Sequence, residues 1–199
     1  MSLITAPREK RQINASLDLN KSTIFSEVES SYQFIILLLS ENFDELKHSQ
    51  SKGFLIISDQ IFDDKVLENG VVYRPPTLVV GIGLHWDTSK ETIKSGLESS
   101  LQKFNLSVKS IARFVSIKKE KDVVGLIELG KEMDIPIEYI DREKLASIST
   151  PNPSKTVQKF EGTSSVSEAA AIKSSGGKLI VEKQKFPPNL TIAIGRIQN

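Results

Sequence analysis

His85, Glu168 and Lys183 are the side chains of this 199-residue sequence whose type and setting best suit chemistry. His85 follows a glycine pair in PPTLVVGIGLHWDTSKETI, Pro75 to Ile93. It sits at the carboxyl end of an expected central strand, where open α/β sheets collect ligands, although a loop histidine packed on Trp86 would look the same. The other histidine is His48, in a different part of the chain, so no metal cluster is expected. Glu168 suits a general acid or base, yet Ser165-Val-Ser-Glu168 also has the spacing of a capping box. Lys183, Lys185 and Arg196 form a basic cluster beside strand ends, readable as anion contacts or as a solvated rim. The chain has no cysteine, which removes thiolate nucleophiles, thiolate metal sites and disulfides together.

The pair Gly81 and Gly83 raises the question of a phosphate cradle. A dinucleotide fingerprint needs a third glycine three residues on, where this chain has Trp86, and no Gly-Lys-Ser/Thr follows as a phosphate loop requires. The stretch therefore reads as strand, glycine turn and helix, with Thr88 and Glu91 spaced as a capping box around Ser89 and Lys90. Ser165 with Glu168 offers a second box, and Asn152-Pro153 a cap followed by proline at the first helical position. Helix starts present positive partial charge, so several around one cleft would suit an anionic ligand.

Positioning such groups calls for an alternating α/β chain. Apolar, β-branched runs predict strands at Phe34–Leu39, Phe54–Ile57, Leu78–Ile82, Ile111–Ser116, Ile137–Ile140, Lys178–Val181 and Leu190–Ile194. Helices are expected from near Thr88, Asp122, Asp141 and Ser165, with two or three helical turns at most between Ser40 and Lys52. Gly125 reads as a close-packing point, and Gly176-Gly177 as a left-handed helix end. Pro75-Pro76 is the best boundary, dividing an uncertain tail (1–20) and a small α/β module (21–74) from a larger unit (75–199). The fold class is α/β, with a three-layer α/β/α carboxyl-terminal domain after the small module.

Lys plus Arg number 26 against 25 Asp plus Glu, a net charge of +1 that gives no general attraction to nucleic acid or an anionic membrane. The longest apolar run, Phe34 to Leu39, is too short to span a bilayer, and Met1 to Gln12 lacks the apolar centre of a signal peptide. A cytoplasmic protein is expected, so Asn189-Leu-Thr191 is not read as a glycosylation site.

One order of motifs is specific. Gly81-Ile-Gly83, Thr88-Ser89, Thr150-Pro-Asn-Pro-Ser154, Gly162, Ser165-Val-Ser-Glu-Ala-Ala-Ala171, Lys183-Gln-Lys185 and Leu190-Thr-Ile-Ala-Ile194 follow one another along the chain. From Pro75 to Arg196 this resembles the carboxyl-terminal domain of the CbiG family of cobalamin biosynthesis and its single-domain relative CobE. Ser58-Asp59 and Arg74-Pro75-Pro76 look like parts of the CbiG middle domain, whereas the family's amino-terminal domain has no counterpart here. A fragment, a split-gene subunit or a short homologue would each look like this.

The resemblance implies cobalt-precorrin-5A hydrolase chemistry of the anaerobic route. The ring A δ-lactone opens and the bridging carbon leaves with its methyl group as acetaldehyde. It further implies Gly81, Gly83, Thr88 and Ser89 as a substrate-binding turn, Lys183 as a carboxylate contact, and Glu168 and His85 as catalytic candidates. The family usually continues this turn with cysteine and basic residues, where this chain has Leu84, His85 and Trp86. No cofactor of its own is implied, because cobalt arrives with the tetrapyrrole. Expected partners are that substrate and either a separate amino-terminal CbiG-like domain, other pathway enzymes or a second copy. A non-catalytic tetrapyrrole carrier is the alternative, and a nucleotide-binding regulator a third reading that rests on Gly81 and Gly83 alone.

Overall fold

The computed structural model describes residues 23–25, 34–38, 53–62, 70–154, 163 and 165–198. The expected tail (1–20), the expected helical turns between Ser40 and Lys52, and also His48 and Gly162, lie outside the described residues.

Two sheets form from the apolar runs. The first contains β1 (Thr23–Phe25), β2 (Phe34–Leu38), β3 (Gly53–Ile57) and β4 (Gly70–Tyr73) in that spatial order. β1 runs antiparallel to β2, and the other pairings are parallel. β1 and β4 are not among the expected strands; β1, at three residues, is too short to show a period.

The second sheet has β5 (Leu78–Leu84) at its centre. On one side lie β6 (Ile111–Ile117) and then β7 (Ile137–Ile140), both parallel. On the other lies β9 (Leu190–Arg196), antiparallel, followed at the edge by its hairpin partner β8 (Leu179–Phe186). Four helices accompany this sheet among the described residues: α1 (Lys90–Lys103), α2 (Val124–Met133), α3 (Arg142–Ala146) and α4 (Val166–Ser175).

Every residue of β5 is buried, as a strand covered on both faces must be. Leu78, Val80, Ile82 and Leu84 pack with Ile93, Leu97 and Leu101 of α1 and with Leu126 and Leu129 of α2. Val79 packs on the opposite face, with Leu145 of α3 and Val166, Ala169 and Ala170 of α4. The result is the expected three-layer α/β/α arrangement.

The expected glycine turn is a stretch of strand. Gly81 and Gly83 lie inside β5, on the face that α4 covers. A Cβ on Gly81 would run into the Ser167 carbonyl oxygen and stand 2.8 Å from the Ala171 amide; one on Gly83 would stand 2.5 Å from Thr191 Oγ1. Glycine is needed here for helix-on-strand contact, and the small Ala169–Ala171 run of α4 completes that contact.

The helix starts differ from expectation for local reasons. Ser89, not Thr88, caps α1, accepting the Thr92 amide at 3.2 Å. Thr88 turns back, its hydroxyl donating to the His85 carbonyl at 2.9 Å. α2 begins at Val124, two residues beyond the expected Asp122, and Ser165 makes no side-chain capping bond to α4. Gly125 is a close-packing point as expected, since a Cβ there would stand 2.5 Å from the Thr88 carbonyl oxygen. Gly176 ends α4 at φ 74°.

Arg196 leaves the expected basic cluster altogether. It lies at the far end of β9 from Lys185, whose strand neighbour is Thr191. There its guanidinium grips Asp59 of the segment after β3 at 2.7 and 2.9 Å. Asp59 is fully buried and also accepts the Thr77 hydroxyl at 3.1 Å, while its carbonyl takes the Ser107 amide at 2.7 Å. A bridge between Gln60 and Leu106 continues this seam.

Candidate functional site

A cavity of about 560 Å³ opens beyond the carboxyl ends of β5 and β6, the place open α/β sheets use for ligands. Leu84 and Ile117 end the two strands there. Ser165 and Val166 bring the start of α4 to its wall, and the Phe186–Leu190 turn of the β8–β9 hairpin, with a cis Pro187-Pro188 bond, forms another side. Lys119, Lys183 and Lys185 supply its cationic lining.

His85 reaches the cavity from a pinned turn. Its amide donates to the Asn189 carbonyl and its own carbonyl accepts the Thr88 amide, both at 3.2 Å. The imidazole Nδ1 stands 2.6 Å from Asp87 Oδ1, with the His85 side chain 53% exposed. With Asp87 accepting an Nδ1–H, Nε2 is the nitrogen left able to take a proton. The sequence reading missed Asp87, although a carboxylate two residues from a histidine was a usable signal. His85 does meet Trp86, the rings lying 5.6 Å apart at a 43° tilt, while Trp86 itself stays 62% exposed.

Lys183 enters the cavity half-buried on β8. Its ammonium donates to the Asn152 carbonyl and, at 3.4 Å, to Ser165 Oγ. Burial pushes it below the ordinary lysine value of 10.5; the Glu168 charge opposes this and the nearby Lys185 adds to it. An anionic ligand in the cavity would favour the charged form of this lysine.

Glu168 is fully buried and does not line the cavity. Its Oε1 accepts from Asn152 Nδ2 at 2.8 Å and from the Lys183 amide at 3.2 Å, and its Oε2 accepts the Asn152 amide at 3.2 Å. Both expectations for this residue change. Its partners come from two other wall elements rather than its own helix start, and a carboxylate so enclosed has no access to a proton on a ligand. Glu168 instead ties α4, β8 and the 150–154 segment together behind the wall. Asn152, expected to cap a following helix, spends its amide groups on Glu168 and on Glu182, at 2.9 Å; the residues after Ser154 that would form that helix lie outside the described set.

The cavity thus gathers His85, Lys183 and the backbone of Gly83, with Glu168 one layer behind. Gly81 lies under α4, and Thr88 and Ser89 are engaged in the turn and the α1 cap, so none of these three lines it. Among the described residues no group of three or more His, Asp or Glu is placed to hold a metal ion, and no helix is long and apolar enough to cross a membrane.

The profile of the family described as "Cobalamin synthesis G C-terminus" matches residues 78–195, from the first residue of β5 to the penultimate residue of β9. The chain belongs to this family. The cobalt-precorrin-5A hydrolase of Priestia megaterium is 36% identical over 135 residues, which cover 68% of this chain and 36% of that enzyme. The chain therefore spans about a third of the length of that curated relative. Among solved structures, CobE, a protein of the cobalamin (vitamin B12) biosynthetic pathway, is 27% identical with a TM-score of 0.57, over 62% of this chain and 95% of CobE. A cobalamin biosynthesis protein G homologue from Sulfolobus solfataricus shares the fold at 23% identity and a TM-score of 0.50, covering 75% of this chain and 45% of that one. The family matched is the one that the order of motifs from Gly81 to Ile194 resembles.

Proposed function

We propose that the chain forms the substrate cleft of a cobalt-precorrin-5A hydrolase of anaerobic cobalamin synthesis, opening the ring A δ-lactone and releasing acetaldehyde. The observation that carries this reading is the 560 Å³ cavity that places an Asp-oriented histidine and three lysines beside the start of α4. A methylated tetrapyrrole is an apolar macrocycle edged with carboxylates, and lysines beside a helix start are suited to those arms. A smaller cavity of about 130 Å³ shares Ile117 and Lys119 and adds Lys118 and Lys121, extending the cationic surface for such arms.

His85 takes a proton from water through Nε2 while Asp87 holds the ring and stabilises the imidazolium. The water oxygen adds to the lactone carbonyl, the ring C–O bond breaks, and the α4 amides or Lys183 face the developing oxyanion. The released hydroxyl on the bridging carbon then loses its proton as the carbon–carbon bond breaks. That electron pair passes to the conjugated macrocycle, which is protonated, and acetaldehyde departs. Residues 21–74 serve as a module like the CbiG middle domain, joined through Pro75-Pro76.

Anaerobic incubation of the full chain with cobalt-precorrin-5A, with acetaldehyde measured by a coupled dehydrogenase, tests the reading. Acetaldehyde release is expected, reduced on the order of 100-fold by His85→Ala with substrate binding intact. A spectral shift without acetaldehyde would make the chain a tetrapyrrole carrier, a role that the near-complete match to single-domain CobE also suits. Neither shift nor product would remove both.

A further inference from the structure

Trp86 is the chain's single tryptophan, and it stands 62% exposed although burying such a side chain is among the largest apolar gains available to a fold. Its display is not a matter of a loose loop. The turn is held by the His85 amide on Asn189, by the Thr88 amide and hydroxyl on the His85 carbonyl, and by Gly125 packing against the Thr88–Lys90 backbone. Val124, the first residue of α2 and next to that packing point, is 63% exposed, so the same end of the molecule shows a second apolar surface. The ring next to the indole belongs to His85, which lines the cavity.

A cavity of 560 Å³ suits a drug-sized ligand, and a tetrapyrrole with its carboxylate arms is larger than that. Part of the macrocycle must lie outside, on the rim. Flat aromatic surface beside lysines is the complement of a flat apolar ring edged with carboxylates. We infer that Trp86 is a stacking platform at the mouth of the cleft, taking the face of the tetrapyrrole that overhangs it. This rests on the cleft being a tetrapyrrole site, and it adds a binding residue that the motifs quoted above do not include.

Cobyrinic acid titrated into the full chain, with its visible bands followed and quenching of the single indole as a second signal, tests the platform. The wild-type chain should bind saturably. Trp86→Ala should raise Kd about tenfold and Trp86→Phe less than about threefold, because a flat ring face remains. Both variants should keep the wild-type Tm, since the side chain is mostly in water. Tight binding by wild type and Trp86→Ala alike would overturn the platform while leaving the cleft. A loss as large in Trp86→Phe as in Trp86→Ala would replace stacking by an indole N–H bond and so overturn it too. Absence of any saturable change in the wild-type chain would overturn the platform together with the tetrapyrrole cleft.

Discussion

Glu168 shows how one side chain can decide the shape of a site it never touches. Three N–H groups point at its carboxylate from Asn152 and Lys183, and the Asn152 carbonyl in turn receives the Lys183 ammonium. Glu168→Gln would set an amide NH₂ against one of those donors, leaving buried groups unpaired at a cost of about 1–3 kcal/mol. A lower urea midpoint with an unchanged slope is expected, together with weaker corrinoid binding, because Lys183 loses its support. A midpoint equal to wild type would mean that the three bonds do not bear on stability. His85 differs in having an exposed ring that is oriented by Asp87 while its backbone makes the bonds of the turn, so replacing the side chain should alter turnover and leave stability alone.

At the scale of elements, the contact between β5 and α4 fixes where the wall of the cleft stands. Gly81→Ala would push the first turn of α4 off the strand, destabilising the fold by about 1–3 kcal/mol, and a fall in Tm measures it. A Tm at or above that of wild type would show that α4 can move without loss. This contact also explains what the sequence made legible. β5, β6 and β9 were readable because largely buried, β-branched runs leave a signal in consecutive residues. The role of Gly81 was not, because the atoms that exclude a Cβ belong to Ser167 and Ala171, far along the chain. Ser165 and Glu168 failed as a capping box for the same reason: spacing alone cannot distinguish a helix cap from a tie, and Asn152 decides it. His85 and Lys183 were singled out from their place at strand ends and in the ordered motifs, whereas Asn152 matters only through the distant partners it meets.

Across the whole molecule, Asp59 and Arg196 fasten the small sheet to the large one. Asp59 is fully buried but the Arg196 side chain is 34% exposed, so an unpaired guanidinium could still reach water. Asp59→Asn should therefore cost about 1–3 kcal/mol, less than the loss of a wholly enclosed pair. Amide exchange in Gly53–Ile57 and Gly70–Tyr73 should quicken, and unaltered exchange there would show that the seam holds without the ion pair. The position of β9 has a further consequence, for the order in which the protein can assemble. Its partner β5 emerges from the ribosome more than a hundred residues earlier, and until Leu190–Arg196 follows, one side of that strand offers bare amides and carbonyls to any passing chain. β8 cannot cover the gap, since its attachment to the sheet runs through β9. A nascent chain stalled before Leu190 thus carries an open edge at the centre of its sheet, a form prone to aggregation and one that a chaperone would have to shield.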